Sequence, residues 1–182
     1  FAPIGAETLE GMRIGGRALF APLLEQLPAN SDDFPLLELG AERARFLLSI
    51  GHYAIALYAA LAEAGIVPVA ELETYGSDDS RLPMSAMASY TPGVEISGGS
   101  LGHGLTVAAG MALGLRHLGN PSRVFNLLSD GELDEGSTWE AAMVCAHHGL
   151  DNVTAIVDVN ALQAAGPNDQ VLRTEPVDEK WR

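Results

Sequence analysis

Hydrophobic and polar positions divide the chain into recognisable elements. Arg45-Phe46-Leu47-Leu48-Ser49 is a short apolar run that predicts a buried strand. Gly51-His52 follow, and residues 53–64 are apolar nearly all round, which predicts a helix buried on most sides and closed by Gly65. Residues 70–75 fit one more short helix. Residues 77–93 are polar and punctuated by proline, and read as a long loop of the kind that often carries function in compact domains.

Ser97-Gly98-Gly99-Ser100-Leu101-Gly102-His103-Gly104 opens a second apolar helix that runs to about His117. Gly102, Thr106, Gly110 and Gly114 lie four apart on it, a stripe poor in side chains that another helix could approach closely. Val124 to Leu128 predicts a strand, residues 130–136 an acidic loop, and Ser137 a helix start, with Glu140 completing a capping-box pattern. Trp139, Met143, Ala146 and Leu150 are spaced as one buried stripe. Val153 to Val159 is a β-branched strand ending at Asn160. Near the amino end, Phe20, Leu23, Leu24 and Leu27 predict a helix before Pro28, and residues 30–35 a loop. The chain therefore divides into a variable helical segment, 1–40, and a domain, 41–182.

Strand, acidic loop, helix and strand form a βαβ unit, so the domain is expected to be α/β with parallel strands and a right-handed crossover. Ligands of such sheets bind beyond the carboxyl ends of the strands. Asp130 and Asn160 occupy two such ends.

Composition narrows the choice. The 182 residues carry 24 Asp+Glu against 10 Lys+Arg, a formal net charge of −14. That balance argues against nucleic acid, which demands a basic face, and against docking on anionic lipid. The lone Cys145 excludes an internal disulfide and a multi-cysteine metal site, and suits a reducing cytoplasm. No secretory signal pattern is visible. The most apolar stretch, Leu105 to Leu115, is too short to span a membrane. The chain begins with Phe1, which suggests a fragment or a processed chain.

An Asp and an Asn on neighbouring strand ends offer two hard oxygen donors. Mg²⁺ prefers such oxygens and commonly binds through few protein groups plus phosphates. A diphosphate would supply two further oxygens, and a backbone carbonyl just past Asn160 another. The start of the Ser137 helix would add partial positive charge. Glu132 and Asp134 read as solvated charges of the loop, His147 and His148 as helix-end residues, and Cys145 as a packing residue.

Several ordered blocks resemble the thiamine-diphosphate motif of transketolases. They are Ser129-Asp130-Gly131-Glu132-Leu133-Asp134-Glu135-Gly136 with Trp139-Glu140-Ala141-Ala142, and Ile156-Val157-Asp158-Val159-Asn160-Ala161-Leu162-Gln163 before Gly166-Pro167. Leu48-Ser49-Ile50-Gly51-His52, residues 93–104 and the closing Glu175-Pro176 and Glu179-Lys180-Trp181-Arg182 match in order, so the resemblance covers roughly 43–182. It implies an α/β diphosphate-binding fold, a parallel sheet with helices on both faces that lacks its last strands. It implies thiamine diphosphate with Mg²⁺ (or Ca²⁺ or Mn²⁺) as cofactors. Asp130 and Asn160 would bind the ion through side chains and Leu162 through its carbonyl. Gly131, Gly99 and Leu101 would lie against the cofactor. His52 and His103 would assist substrate oxygens or proton transfers. Glu135, with Glu140, would sit near the dimer interface and connect to the carboxylate that activates the aminopyrimidine.

The resemblance further implies transfer of a two-carbon ketol unit between sugar phosphates. The partner would be a pyrimidine-domain subunit, in a dimer or heterotetramer of the split two-subunit type. Other readings are a non-catalytic assembly domain, or another thiamine enzyme such as the decarboxylating subunit of a 2-oxoacid dehydrogenase. The sequence departs from the family at Ser129, where glycine is usual, and at Ala161, where asparagine or glycine is common. His103 replaces a frequent glutamine, and Met84-Ser85 stands near a missing histidine.

Overall fold

The computed structural model describes residues 43–182. The helix expected before Pro28 and the loop after it lie outside the described residues. Three strands, β1 (Arg45–Leu48), β2 (Val124–Ser129) and β3 (Val153–Asp158), form a parallel sheet in the order β1-β2-β3. Leu48 pairs with Leu127, and Ser129 with Asp158, so the carboxyl ends of β2 and β3 lie level.

The side-chain alternation of the strands separates two cores. Leu48 and Leu127 face helix α1 (Ala54–Glu63), where Leu57, Tyr58 and Leu61 are buried. Leu47, Val124 and Leu128 face the opposite way, onto α2 (His103–His117) and α3 (Gly136–His147), through Leu105, Ala108, Leu115 and Ala141. Each fully buried leucine contributes roughly 1.5–3 kcal/mol. Helices thus cover both faces of a parallel sheet, as the sequence predicts. A 3-10 segment at Gly51–Tyr53 leads into α1, another at Val69–Thr74 follows it, and Gly65, at φ +73°, lies just past its end. A two-stranded antiparallel ladder, β4 (Leu162–Gln163) with β5 (Gly166–Pro167), follows β3, and two short helices, α4 (Asn168–Val171) and α5 (Val177–Lys180), close the chain. Among the described residues, no helix is long and apolar enough to cross a membrane.

Three local expectations are corrected. The capping box does not form: α3 begins at Gly136 with Glu135 as its N-cap, and no side chain caps it. Ser137 Oγ instead donates to the Gly102 carbonyl (2.9 Å), because the start of α3 abuts the start of α2. The stripe of Trp139, Met143, Ala146 and Leu150 is not buried as a unit, Met143 being 64 % exposed. Helix α3 packs chiefly on α2, through the small Ala141, and its larger side chains line an open groove of about 650 Å³ with Val153 and Trp181. The stripe of Thr106 and Gly110 faces solvent; a Cβ on Gly110 would meet nothing within 4 Å.

Candidate functional site

Beyond the carboxyl ends of the strands lies a cleft of about 720 Å³. It is lined by His52 and Tyr53 from the entry to α1, Leu101 from the loop before α2, Gly131, Asp134 and Glu135 from the turn after β2, and Asn160 and Leu162 from the segment after β3. Tight backbone packing builds this end. Gly51 is wedged against the loop before α2: a Cβ there would fall 2.5 Å from the Gly99 nitrogen. Gly102, the N-cap of α2, sits at φ +81°, and a Cβ on it would lie 2.5 Å from Ser137 Oγ and 2.7 Å from Glu135 Cβ.

Asp130 lies under the cleft floor, 1 % exposed. Its Oδ1 accepts from the Gly131 N–H (2.9 Å), its Oδ2 from the Ala161 N–H (2.7 Å), and its own N–H donates to the Asp158 carbonyl (3.0 Å). Among the described residues no Lys or Arg pairs with it. A buried carboxylate held only by backbone dipoles retains lone pairs and calls for a cation. Asn160, exposed at the end of its strand, presents Oδ1 to the Leu162 N–H (2.9 Å). Its Nδ2 donates to Tyr53 Oη (2.6 Å) and Asp158 Oδ2 (3.2 Å), and Tyr53 Oη donates to Asp158 Oδ2 (3.0 Å). Burial, then the bond to Asp158, pushes the Tyr53 phenol above its ordinary range, so it stays protonated at neutral pH. These oxygen donors, from a carboxylate, an amide and the nearby Leu162 carbonyl, fit a hard divalent ion.

Glu132 corrects the sequence reading of a solvated charge. It is fully buried. Its Oε1 accepts from Ser49 Oγ at the end of β1 and from the Gly102 N–H (2.8 Å), while Ser49 Oγ accepts from the Gly104 N–H (3.0 Å). One carboxyl group thus ties β1, the loop before α2 and the turn after β2 together. Burial pushes it above the usual carboxylate range, against the pull of those hydrogen bonds. Asp134 is part-buried in the cleft; its Oδ2 accepts from Gln163 Nε2 (3.2 Å) and its Oδ1 has no partner. Burial first, then the charges of Asp130 and Glu135, raise its pKa.

The structure brings His52, Leu101, Gly131, Glu135, Asn160 and Leu162 to one cleft, with Asp130 beneath. His103, exposed at the first turn of α2, and Gly99, packed against Gly51, are not among its lining residues, and Glu140 is exposed on α3. Sequence reasoning missed Tyr53, Asp158 and Glu132. Asp158 carried a usable signal, since it lies two residues before Asn160 and so on the same side of an extended strand. Glu132 carried none.

Comparison with known proteins gives a consistent picture. Residues 10–182 match the family described as transketolase, thiamine diphosphate binding domain. A transketolase family protein of Sinorhizobium fredii is 68 % identical over 139 residues, 76 % of this chain and 50 % of that protein. One of the subunits of the apulose-4-phosphate transketolase of Actinobacillus succinogenes is 46 % identical over 143 residues, 79 % of this chain and 52 % of its own length. Among solved structures, transketolase from Leishmania mexicana superposes with a TM-score of 0.79 at 26 % identity, covering 95 % of this chain and 28 % of that one. The chain spans about half the length of these curated relatives.

Proposed function

The chain belongs to the transketolase thiamine-diphosphate-binding family, and from that premise we propose that it is the diphosphate-binding part of a transketolase-type transferase of the split two-subunit kind. The observation that carries the reading is Asp130: a buried carboxylate without a cationic partner among the described residues, beside Asn160, under a cleft whose described lining contains no Lys or Arg. A cleft rimmed by Asp134 and Glu135 would repel a diphosphate unless a divalent cation and backbone N–H groups supplied the attraction.

In this reading Asp130, Asn160 and the Leu162 carbonyl hold Mg²⁺, with Ca²⁺ or Mn²⁺ as substitutes. Gly131 permits close approach of the diphosphate, and Leu101 and Gly99 shape the loop beside the cofactor. When bound, thiamine diphosphate supplies the carbanion-stabilising chemistry for moving a two-carbon ketol unit from a ketose to an aldose. His52, at the cleft mouth, hydrogen-bonds substrate oxygens and moves protons there, and His103 assists from the start of α2. Glu135, exposed at the start of α3, faces the partner, a pyrimidine-domain subunit, in a dimer or heterotetramer. Sugar phosphates are the substrate class, as the name of the Actinobacillus relative suggests for that protein. The lone cysteine suits a reducing cytoplasm.

Two measurements on the chain with its partner subunit test this reading. Calorimetry with thiamine diphosphate and Mg²⁺ should show binding that Asp130→Ala abolishes; equal binding by both proteins overturns the site. A ketol-transfer assay should show turnover, and its absence with cofactor bound would leave a non-catalytic assembly domain.

A further inference from the structure

An asparagine amide has an oxygen end and a nitrogen end of nearly equal size, so a side chain exposed at a strand end needs something to decide which faces the ligand. Around Asn160 that decision is made by Tyr53 and Asp158. Nδ2 is bracketed by Tyr53 Oη (2.6 Å) and Asp158 Oδ2 (3.2 Å), and the phenol closes the ring by donating to the same Asp158 oxygen (3.0 Å). Rotating the amide by 180° would set Oδ1 against the Asp158 carboxylate and Nδ2 against the Leu162 N–H, replacing attractive contacts with repulsive ones. The unrotated form keeps Oδ1 on the Leu162 side, where the Ala161 N–H meets Asp130 Oδ2.

We propose that Tyr53 is a positioning residue for the cation site, its hydroxyl locking the Asn160 amide with Oδ1 toward the metal. The inference rests on the reading of Asp130 and Asn160 as metal ligands. Tyr53 suits the task because its hydroxyl serves Asn160 as acceptor and Asp158 as donor at once. It acts from the entry to α1, so helix placement on one face of the sheet sets ligand orientation at the end of β3. Partners that orient metal ligands from behind are worth roughly 10–100-fold in metal affinity.

The test is a Mn²⁺ titration followed by electron paramagnetic resonance, with thiamine diphosphate and the partner subunit present. It compares the parent protein, Tyr53→Phe, Asn160→Ala and the double variant, with the melting temperature of each cofactor-free protein read in parallel. Tyr53→Phe should melt with the parent, bind Mn²⁺ about 10-fold more weakly, and regain the parent kcat at saturating Mg²⁺. The double variant should bind no more weakly than Asn160→Ala alone. If Asn160→Ala loses Mn²⁺ while Tyr53→Phe binds within twofold of the parent, Tyr53 has no positioning role and the metal reading stands. Additive losses in the double variant overturn the proposal too. If Asn160→Ala binds Mn²⁺ as tightly as the parent, the metal reading falls and the inference with it.

Discussion

Strands β2 and β3 lie side by side in register, yet they present their terminal groups in different ways. Strand β2 is buried along nearly its whole length, and its end group Asp130 is buried with it, held by N–H groups of the main chain. Strand β3, at the border of the described sheet, is half-exposed throughout, and its end group Asn160 is exposed, its Nδ2 held by the Tyr53 and Asp158 side chains and its Oδ1 by the Leu162 N–H. An interior strand can deliver a charge into a dry floor, where backbone dipoles must compensate it. At the end of β3 a neutral amide stands exposed among the described residues, and its orientation comes from neighbouring groups. Fold and ligand binding are therefore joined at β2 and separable at β3.

The largest effect should come from Asp130→Ala, which removes the buried charge and the acceptor of both the Gly131 and Ala161 N–H groups. Cofactor-dependent metal binding should fall by about 100-fold or more, and unfolding stability by about 1–2 kcal/mol. Loss of binding with unchanged stability, by calorimetry and urea unfolding, would break the claim that the two are joined on the interior strand. Next comes Glu132→Ala, which strands the Ser49 hydroxyl and the Gly102 N–H. It should cost about 2 kcal/mol, lowering the melting temperature by about 4–8 °C, whereas Glu132→Gln, which keeps an acceptor, should stay within about 1 kcal/mol. Equal melting of the two variants would show that the clamp carries no stability.

Asn160→Ala should weaken metal binding about 10-fold or more yet shift stability by no more than about 0.5 kcal/mol, as befits an exposed site. A large drop in its melting temperature would erase the contrast between the strands. The smallest change is expected from Ala161→Gly. Ala161 sits at φ +61°, a left-handed conformation costing a non-glycine residue about 1–2 kcal/mol, partly offset by the greater unfolded-state entropy of glycine. The variant should gain about 0.5 kcal/mol by thermal unfolding; a loss would show that the Ala161 methyl makes packing contacts worth more than the strain.

Much of the architecture was legible because it rests on local rules. The opposite-facing pair Leu47 and Leu48, the all-round apolar 53–64 segment and the β-branched run from Val153 each announce their element through periodicity. Ala161 was legible as a departure, and its positive φ supplies the reason glycine or asparagine would sit there more easily. The failures share one cause. Ser137 carries a capping signature, but its hydroxyl is taken by the Gly102 carbonyl, a partner 35 residues away. Met143 has the spacing of a core residue, but α3 leans on a single neighbouring helix and leaves that side of it exposed.

What the sequence alone determined was the main elements from β1 to β3, the parallel βαβ arrangement and the placing of Asp130 and Asn160 at strand ends, because chain period and strand direction follow from neighbouring residues; the β4–β5 ladder and the two closing helices were not foreseen. What the tertiary structure alone decided was the state of each polar group. Glu132 looks like any other acid in an acidic loop until β1 and the loop before α2 close over it. Tyr53 looks like one more apolar helix residue until α1 sets its hydroxyl against Asp158 and Asn160. Burial and hydrogen-bond partners are properties of distant segments brought together, and no local pattern encodes them.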